Sequence, residues 1–176
     1  ETETGGIDNL RVLNSAVTGT EAKTIYIYDE TGRIIREGKT DGVKSYFTET
    51  IYTGLTNVII KDANGNLKER IFDTKGQVVK IIDYKNKAQL PENIYAVIEY
   101  TYNRKGNLTK TKDIKNNEIS ITYDEVGRKT EMNDPDMGIW KYSYNEFSEL
   151  TNQIDANNNI IKFTYDTRGR ITAKSR

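Results

Sequence analysis

The chain has 176 residues, 26 basic against 26 acidic side chains for a formal net charge of zero, and neither Cys nor His. That leaves no electrostatic case for binding nucleic acid or anionic lipid, and it excludes disulfides and thiolate metal sites, His-ligated zinc, and the Ser–His and Cys–His pairs of nucleophilic catalysis. Acid–base chemistry would fall to Asp, Glu, Lys or Tyr with strongly shifted pKa values, and no apolar run approaches the ~20 residues of a membrane span, so no membrane insertion is expected.

Residues 1–24 are poorly patterned, and their polar start, ETETGG, reads as a mature or trimmed end. Ile7-Asp8 lies 21 residues before Tyr28-Asp29, which leaves a degenerate first repeat open. From residue 25 the chain indexes on an anchor, an aromatic residue before Asp or Asn: Tyr28, Phe72, Tyr102, Tyr123, Tyr144 and Tyr165. The last four recur every 21 residues. Gly32, Gly76, Gly106, Gly127 and Gly169 stand four places after their anchors, and Ser148 takes that place once. The interval from 28 to 72 is two periods plus two, which puts a decayed anchor near Ile51-Tyr52. The interval from 72 to 102 exceeds one period by the polar stretch KNKAQLPEN, an insertion at 85–93. Residues 25–176 therefore form one repeat domain.

A second turn signal falls in mid-unit, at Asp62, Asp83, Asp113, Asp134 and Asp155. Gly65, Asn116 and Asn158 follow three residues after the Asp, and Gly138 one later. An Asp carboxylate closing on its own loop, followed by a residue that tolerates the left-handed conformation, is turn chemistry. Each 21-residue unit is then two short strands and two turns, which predicts an all-β antiparallel meander.

The anchor turn is specified more sharply. Asp-x-x-Gly as a type I turn ending in a glycine bulge sets each anchor opposite the residue six later. Those partners are Ile34, Val78, Leu108, Lys129, Leu150 and Ile171. The residue after the anchor faces the one four later, so Asp29, Asp124 and Asp166 face Arg33, Arg128 and Arg170, while Asp73 faces Gln77. Arginine appears only where its partner is Asp. The two-residue period of a strand then sorts the side chains. Tyr26, Tyr100, Ile121, Tyr142 and Phe163 share a face with the anchors. Thr101, Thr122, Ser143 and Thr164 take the other, so a one-sided sheet is expected. About seven units give ~14 strands and a width of ~65 Å if flat. Accumulated twist and a bare aromatic face forbid flatness. The sheet is expected to be strongly twisted and rolled, as an open barrel or shell segment. It must close on itself, meet a second copy, or continue into further repeats.

The recurring Tyr-Asp-x-x-Gly-Arg-(Leu/Ile) pattern resembles the YD-repeat or Rhs-repeat family. Tyr28 to Ile34 and Tyr165 to Ile171 match it fully; Tyr123 to Arg128 matches up to Lys129, and Tyr102 to Leu108 is a looser form. The resemblance covers residues ~25–172. It implies β-strips winding into hollow shells, as in bacterial polymorphic toxins and insecticidal toxin complexes, or adhesive barrels of teneurin type. By that resemblance the chain is a non-enzymatic structural or interaction module of a secreted or cell-surface bacterial protein. Its partners would be further repeats, a second copy, or an enclosed or presented protein segment.

The chemistry-bearing residues read mainly as structural. Asp134-Pro135-Asp136 and Asp155 with Asn157–Asn159 offer two or three side-chain oxygens each, where calcium takes six to eight. Neither metal nor cofactor is expected. Asp134-Pro135 is also faintly similar to the self-cleavage motif that ends some Rhs shells, but it lies mid-chain in register with the other turns, where Pro suits a type I turn. A hydrolase would need two carboxylates ~5–10 Å apart in a cleft, which nothing in the sequence demands. The alternative function is a carbohydrate- or protein-binding surface on the exposed sheet face, at Tyr52, or in the 85–93 loop.

Overall fold

The computed structural model describes residues 23–40, 44–84 and 94–176. Its strands are β1 Lys23–Tyr28, β2 Ile34–Thr40, β3 Ser45–Thr53, β4 Asn57–Lys61, β5 Leu67–Phe72, β6 Val78–Tyr84, β7 Ile94–Tyr102, β8 Leu108–Asp113, β9 Glu118–Tyr123, β10 Lys129–Asp134, β11 Gly138–Tyr144, β12 Leu150–Ile154, β13 Ile160–Tyr165 and β14 Ile171–Ser175. They are hydrogen-bonded neighbours in chain order in one 14-stranded antiparallel sheet. There is no helix among the described residues. Two compact units divide the chain, Glu1–Ala96 and Val97–Arg176.

The anchor turns obey the register that their spacing predicts. Tyr28 pairs with Ile34, Phe72 with Val78, Tyr102 with Leu108, Tyr123 with Lys129, Tyr144 with Leu150 and Tyr165 with Ile171. Each pairing shifts by one residue just behind the anchor, a bulge that sharpens the local bend. The left-handed position behind it falls on glycine five times and on Ser148 at φ 64°.

The decayed anchor is Tyr52. It pairs with Val58, six residues on, and Thr53 with Asn57, without a bulge. Its turn is built in reverse: Gly54, two residues after the anchor, takes the positive φ of 80°. The usual left-handed place holds Thr56, whose branched Cβ disfavours it. That exchange is why the motif is hard to see in the sequence. Asp83 also departs from the turn assignment. It sits inside β6, opposite Lys68 and ion-paired to it at 3.3 Å. The 85–93 insertion lies outside the described residues.

The one-sided sheet holds in the second unit. Along β11 and β13 the anchor-face residues Trp140, Tyr142, Tyr144, Ile161, Phe163 and Tyr165 are half-buried, and their alternates are exposed. The first unit departs from it. Register places Ile25, Ile27, Phe47, Ile51, Ile59, Leu67, Ile82 and Tyr84 on the face opposite the anchors. Ile82 and Tyr84, at 8% and 9% exposure, are the only buried hydrophobic residues among those described, and none of the described side chains falls below 2%. Polar bridges run across the same face. Glu49 meets Lys61 at 2.9 Å and Arg36 at 3.6 Å, and Glu69 accepts from the Tyr84 hydroxyl at 2.6 Å and from Asn57 Nδ2 at 3.1 Å. Burial of the Tyr84 ring and the adjoining Glu69 carboxylate push its phenol up to about 12. Backbone ladders and cross-strand contacts hold this sheet together more than a closed core does.

Candidate functional site

The repeated features converge on a ridge of anchor turns and the tyrosine face behind it. In each turn the Asp or Asn after the anchor folds back on its loop. Asp124 Oδ1 accepts the N–H of Val126 at 3.1 Å and of Arg128 at 2.9 Å, while Oδ2 takes Arg128 Nε at 2.6 Å. Asp29 and Asp166 repeat this with Arg33 and Arg170, and Asp73 Oδ1 accepts from Lys75 and Gln77. The mid-unit turns use the same scaffold with a shorter partner. Asp62, Asp113 and Asp155 accept from the second and fourth following N–H groups, and the amides of Asn66, Asn117 and Asn159 stand where arginine stood.

These donors favour the charged carboxylate. The Thr31 hydroxyl, the Arg33 backbone and guanidinium, and the Thr31 N–H hold Asp29 well below the usual carboxylate range. The Arg128 backbone N–H is the main cause for Asp124, and that of Arg170 for Asp166. Side-chain amides of Asn66, Asn117 and Asn159 lower Asp62, Asp113 and Asp155. Asp134 accepts the N–H groups of Asp136 and Met137 at 2.8 and 3.0 Å, as a turn carboxylate does.

Successive units are joined by a device that the sequence reading missed. The anchor hydroxyl reaches back to the carbonyl opposite the previous anchor. Tyr123 donates to Leu108 O at 2.7 Å, Tyr144 to Lys129 O at 2.9 Å and Tyr165 to Leu150 O at 2.9 Å. Tyr52 does the same to Ile34 O at 3.2 Å, which marks it as a true anchor and commits its hydroxyl to the fold. Arginine reaches forward in turn. The Arg33 guanidinium lies 4.2 Å from the centre of the Tyr52 ring, and that of Arg128 5.0 Å from Tyr144. Arg128 Nη1 also donates to Asn145 O at 2.9 Å and to Ser148 Oγ at 3.3 Å. Lys105 Nζ donates to Glu125 O of the next turn. The signal for this clasp was present, since tyrosine, not phenylalanine, fills every anchor but Phe72. Gly32, Gly76, Gly106, Gly127 and Gly169 carry the positive φ of their turns.

Two open clefts flank this framework in the first unit. One is bounded by Asp62, Lys68, Asp83, Tyr84 and Tyr95. Its carboxylates are already engaged, Asp62 by its turn and Asp83 by Lys68, and its buried phenol is held protonated. The other, about 500 Å³, lies over β1–β3 between Tyr26 and Tyr46. No group of three or more Asp and Glu residues positioned to hold a metal occurs among the described residues.

The Teneurin YD-shell family model matches residues 50–173. Among solved structures, TcdB2-TccC3-Cdc42 superposes with a TM-score of 0.70 at 18% identity, covering 87% of this chain and 8% of that chain. A Tc holotoxin pore of Photorhabdus luminescens gives a TM-score of 0.69 at 17% identity, over 86% and 8%. At such identities the likeness is one of fold. The chain spans about 8% of the length of these structures. A search of curated proteins returns no match.

Proposed function

The chain belongs to the Teneurin YD-shell family, and from that premise we propose that it is a segment of shell wall. It is a non-enzymatic strip of YD repeats that joins further repeats of a larger chain to enclose or present a protein segment. The observation that carries this is the inter-unit clasp. At Tyr52, Tyr123, Tyr144 and Tyr165 the preceding unit supplies the carbonyl that the anchor hydroxyl takes, and Arg33 and Arg128 set a cation over the next anchor ring. A module joined only to its neighbours extends in one dimension, as a wall must. The thin burial supports the same reading, because a wall needs no closed core of its own. The Asp carboxylates of the turns are engaged as caps, and Asp83 in an ion pair with Lys68. A shell of the kind to which this fold is similar would place the protein outside a bacterial cell, secreted or at its surface.

The test is limited proteolysis of the full-length protein. An enclosed segment resists protease until the wall is loosened by replacing Tyr123, Tyr144 and Tyr165 with Phe, after which it is cut faster than the wall. If no segment of the intact protein is protected, or if loosening the wall leaves cleavage unchanged, the proposal fails.

A further inference from the structure

We infer that the face of β1–β3 between Tyr26 and Tyr46 is a binding site for a neutral oligosaccharide. Six side chains form a grid there. Thr24, Lys39 and Tyr46 are paired across the three strands, and so are Tyr26, Glu37 and Thr48 in the adjacent row. Pairing puts both rows on one face, with the two tyrosines at opposite corners. Strand spacing and residue rise place their Cα atoms about 12 Å apart, room for a short run of linked pyranose rings.

These two tyrosines are unlike the four clasped anchors. Tyr52, Tyr123, Tyr144 and Tyr165 commit their hydroxyls to backbone carbonyls. Tyr26 and Tyr46 are 50% and 59% exposed, and their hydroxyls take no partner among the described residues. They border an open cleft of about 500 Å³, within the range of small-ligand sites. An exposed ring presents an electron-rich face that suits the weakly positive C–H face of a pyranose. Between the rings, Thr24 and Thr48 offer hydroxyls, Glu37 accepts and Lys39 donates, which matches the alternating donors and acceptors of sugar hydroxyls.

The charges decide the ligand class. Glu37 and Lys39 offset one another on the floor of the cleft, so it does not favour polyanions, and a single-stranded nucleic acid wants a basic groove. The floor is braced from behind. Phe47 covers Gly38 on the reverse face, so closely that an added Cβ would lie 2.6 Å from its Cδ1, and the Arg36 guanidinium lies 4.4 Å from the centre of the Phe47 ring. Gly38 therefore lets Phe47 close down on β2.

Titrating the whole chain with cellohexaose, chitohexaose and maltohexaose, by calorimetry and by amide chemical shifts, tests the site. Saturable binding of at least one, with shifts centred on residues 24–26, 37–39 and 46–48, is expected. Tyr46→Ala should weaken it by about tenfold or more, since base–aromatic stacking is worth a comparable factor. Tyr46→Phe, which keeps the ring, should stay within about threefold. Tyr52→Ala is not a useful control because it breaks the clasp. Glu37→Gln keeps the strand pairing and should weaken binding less than Tyr46→Ala. The inference is overturned if none of the three sugars binds saturably, if the shifts map elsewhere, or if a folded Tyr46→Ala protein binds as before. Any of these results leaves the shell-wall reading intact, since that reading rests on the clasp and not on this cleft.

Discussion

Replacing Tyr123, Tyr144 and Tyr165 together by Phe removes three hydroxyls and nothing else. Each donates to a carbonyl of the preceding unit, at 2.7, 2.9 and 2.9 Å. The rings are half-buried, and burial raises the Tyr144 phenol above its ordinary pKa, so these hydroxyls are partly withdrawn from water. A hydrogen bond in that setting contributes about 0.5–1.5 kcal/mol net. Three of them give roughly 3 kcal/mol if additive, and shared neighbours such as Arg128 will make the sum depart from that. For a chain of this size each kcal/mol moves the melting temperature by about 2–4 °C, so the triple variant should melt roughly 6–12 °C lower. Because the lost bonds join units, the urea transition should also broaden, with a lower m-value, as neighbouring repeats uncouple. Tyr26→Phe is the matched control and should be neutral within about 0.5 kcal/mol. A triple variant that melts within about 1 °C of the parent, with an unchanged m-value, would refute the clasp as a stabilising device.

Ser148 holds φ 64°, where the equivalent residue in five other anchor turns is glycine. Ser148→Gly should therefore raise stability by about 0.5–1 kcal/mol in urea unfolding, net of the weak contact with Arg128. Gly138→Ala should lower it by more than about 2 kcal/mol, since its φ is 73° and the new Cβ would lie 2.6 Å from that of Ala156. Arg128→Lys should cost about 1–2 kcal/mol, because it loses the simultaneous bonds of Nε to Asp124 Oδ2 and of Nη1 to the Asn145 carbonyl, and the stack on Tyr144. Arg170→Lys should cost under about 0.5 kcal/mol, because that side chain is 72% exposed. The turn carboxylates have folded pKa values below their unfolded ones, so the unfolded chain takes up protons first. Their contribution is complete above the unfolded value and is lost as pH falls through the folded one. Melting temperature should be flat between about pH 7 and 5 and fall below about pH 4, and Asp124→Asn with Asp166→Asn should flatten that acid limb.

The turns and their register were legible because local chemistry decides them. An Asp carboxylate or Asn amide oxygen closes on the second and fourth following N–H groups whatever lies elsewhere in the chain, so six anchor pairs follow from spacing alone. The anchor at Tyr52 was only approximately legible, because its glycine stands at position 54 instead of 56 and the same hairpin is made by another turn. The face assignment held where repeats are regular and failed in the first unit, where Ile59, Ile82 and Tyr84 put apolar mass on the reverse face. Period two says that neighbours alternate. It does not say which face a neighbouring element will cover. Only the donor half of the clasp was legible, in the choice of tyrosine over phenylalanine at every anchor but Phe72; the acceptor is a carbonyl 15 or 18 residues back, and a carbonyl carries no sequence signature.

What the repeat consumes is as informative as what it builds. Its turn carboxylates are tied up in their own loops and Asp83 in an ion pair, the hydroxyls of Tyr52, Tyr123, Tyr144 and Tyr165 in clasps, and Arg33 and Arg128 in holding turn and anchor. A polar residue that a repeating scaffold leaves uncommitted is where a ligand meets least competition from the fold. Tyr26 and Tyr46 are such residues, two aromatic rings on the half of the sheet where apolar packing has moved to the reverse face. Moving that packing behind β2 and β3, through Phe47 over Gly38 and Arg36 over Phe47, lets the front rings stand in solvent without opening the strands beneath them. The second unit keeps its aromatic rows on the anchor face, where Lys129 and Lys174 cover Tyr142 and Phe163. The departure from one-sidedness in the first unit thus frees a recognition surface that the regular repeat does not have.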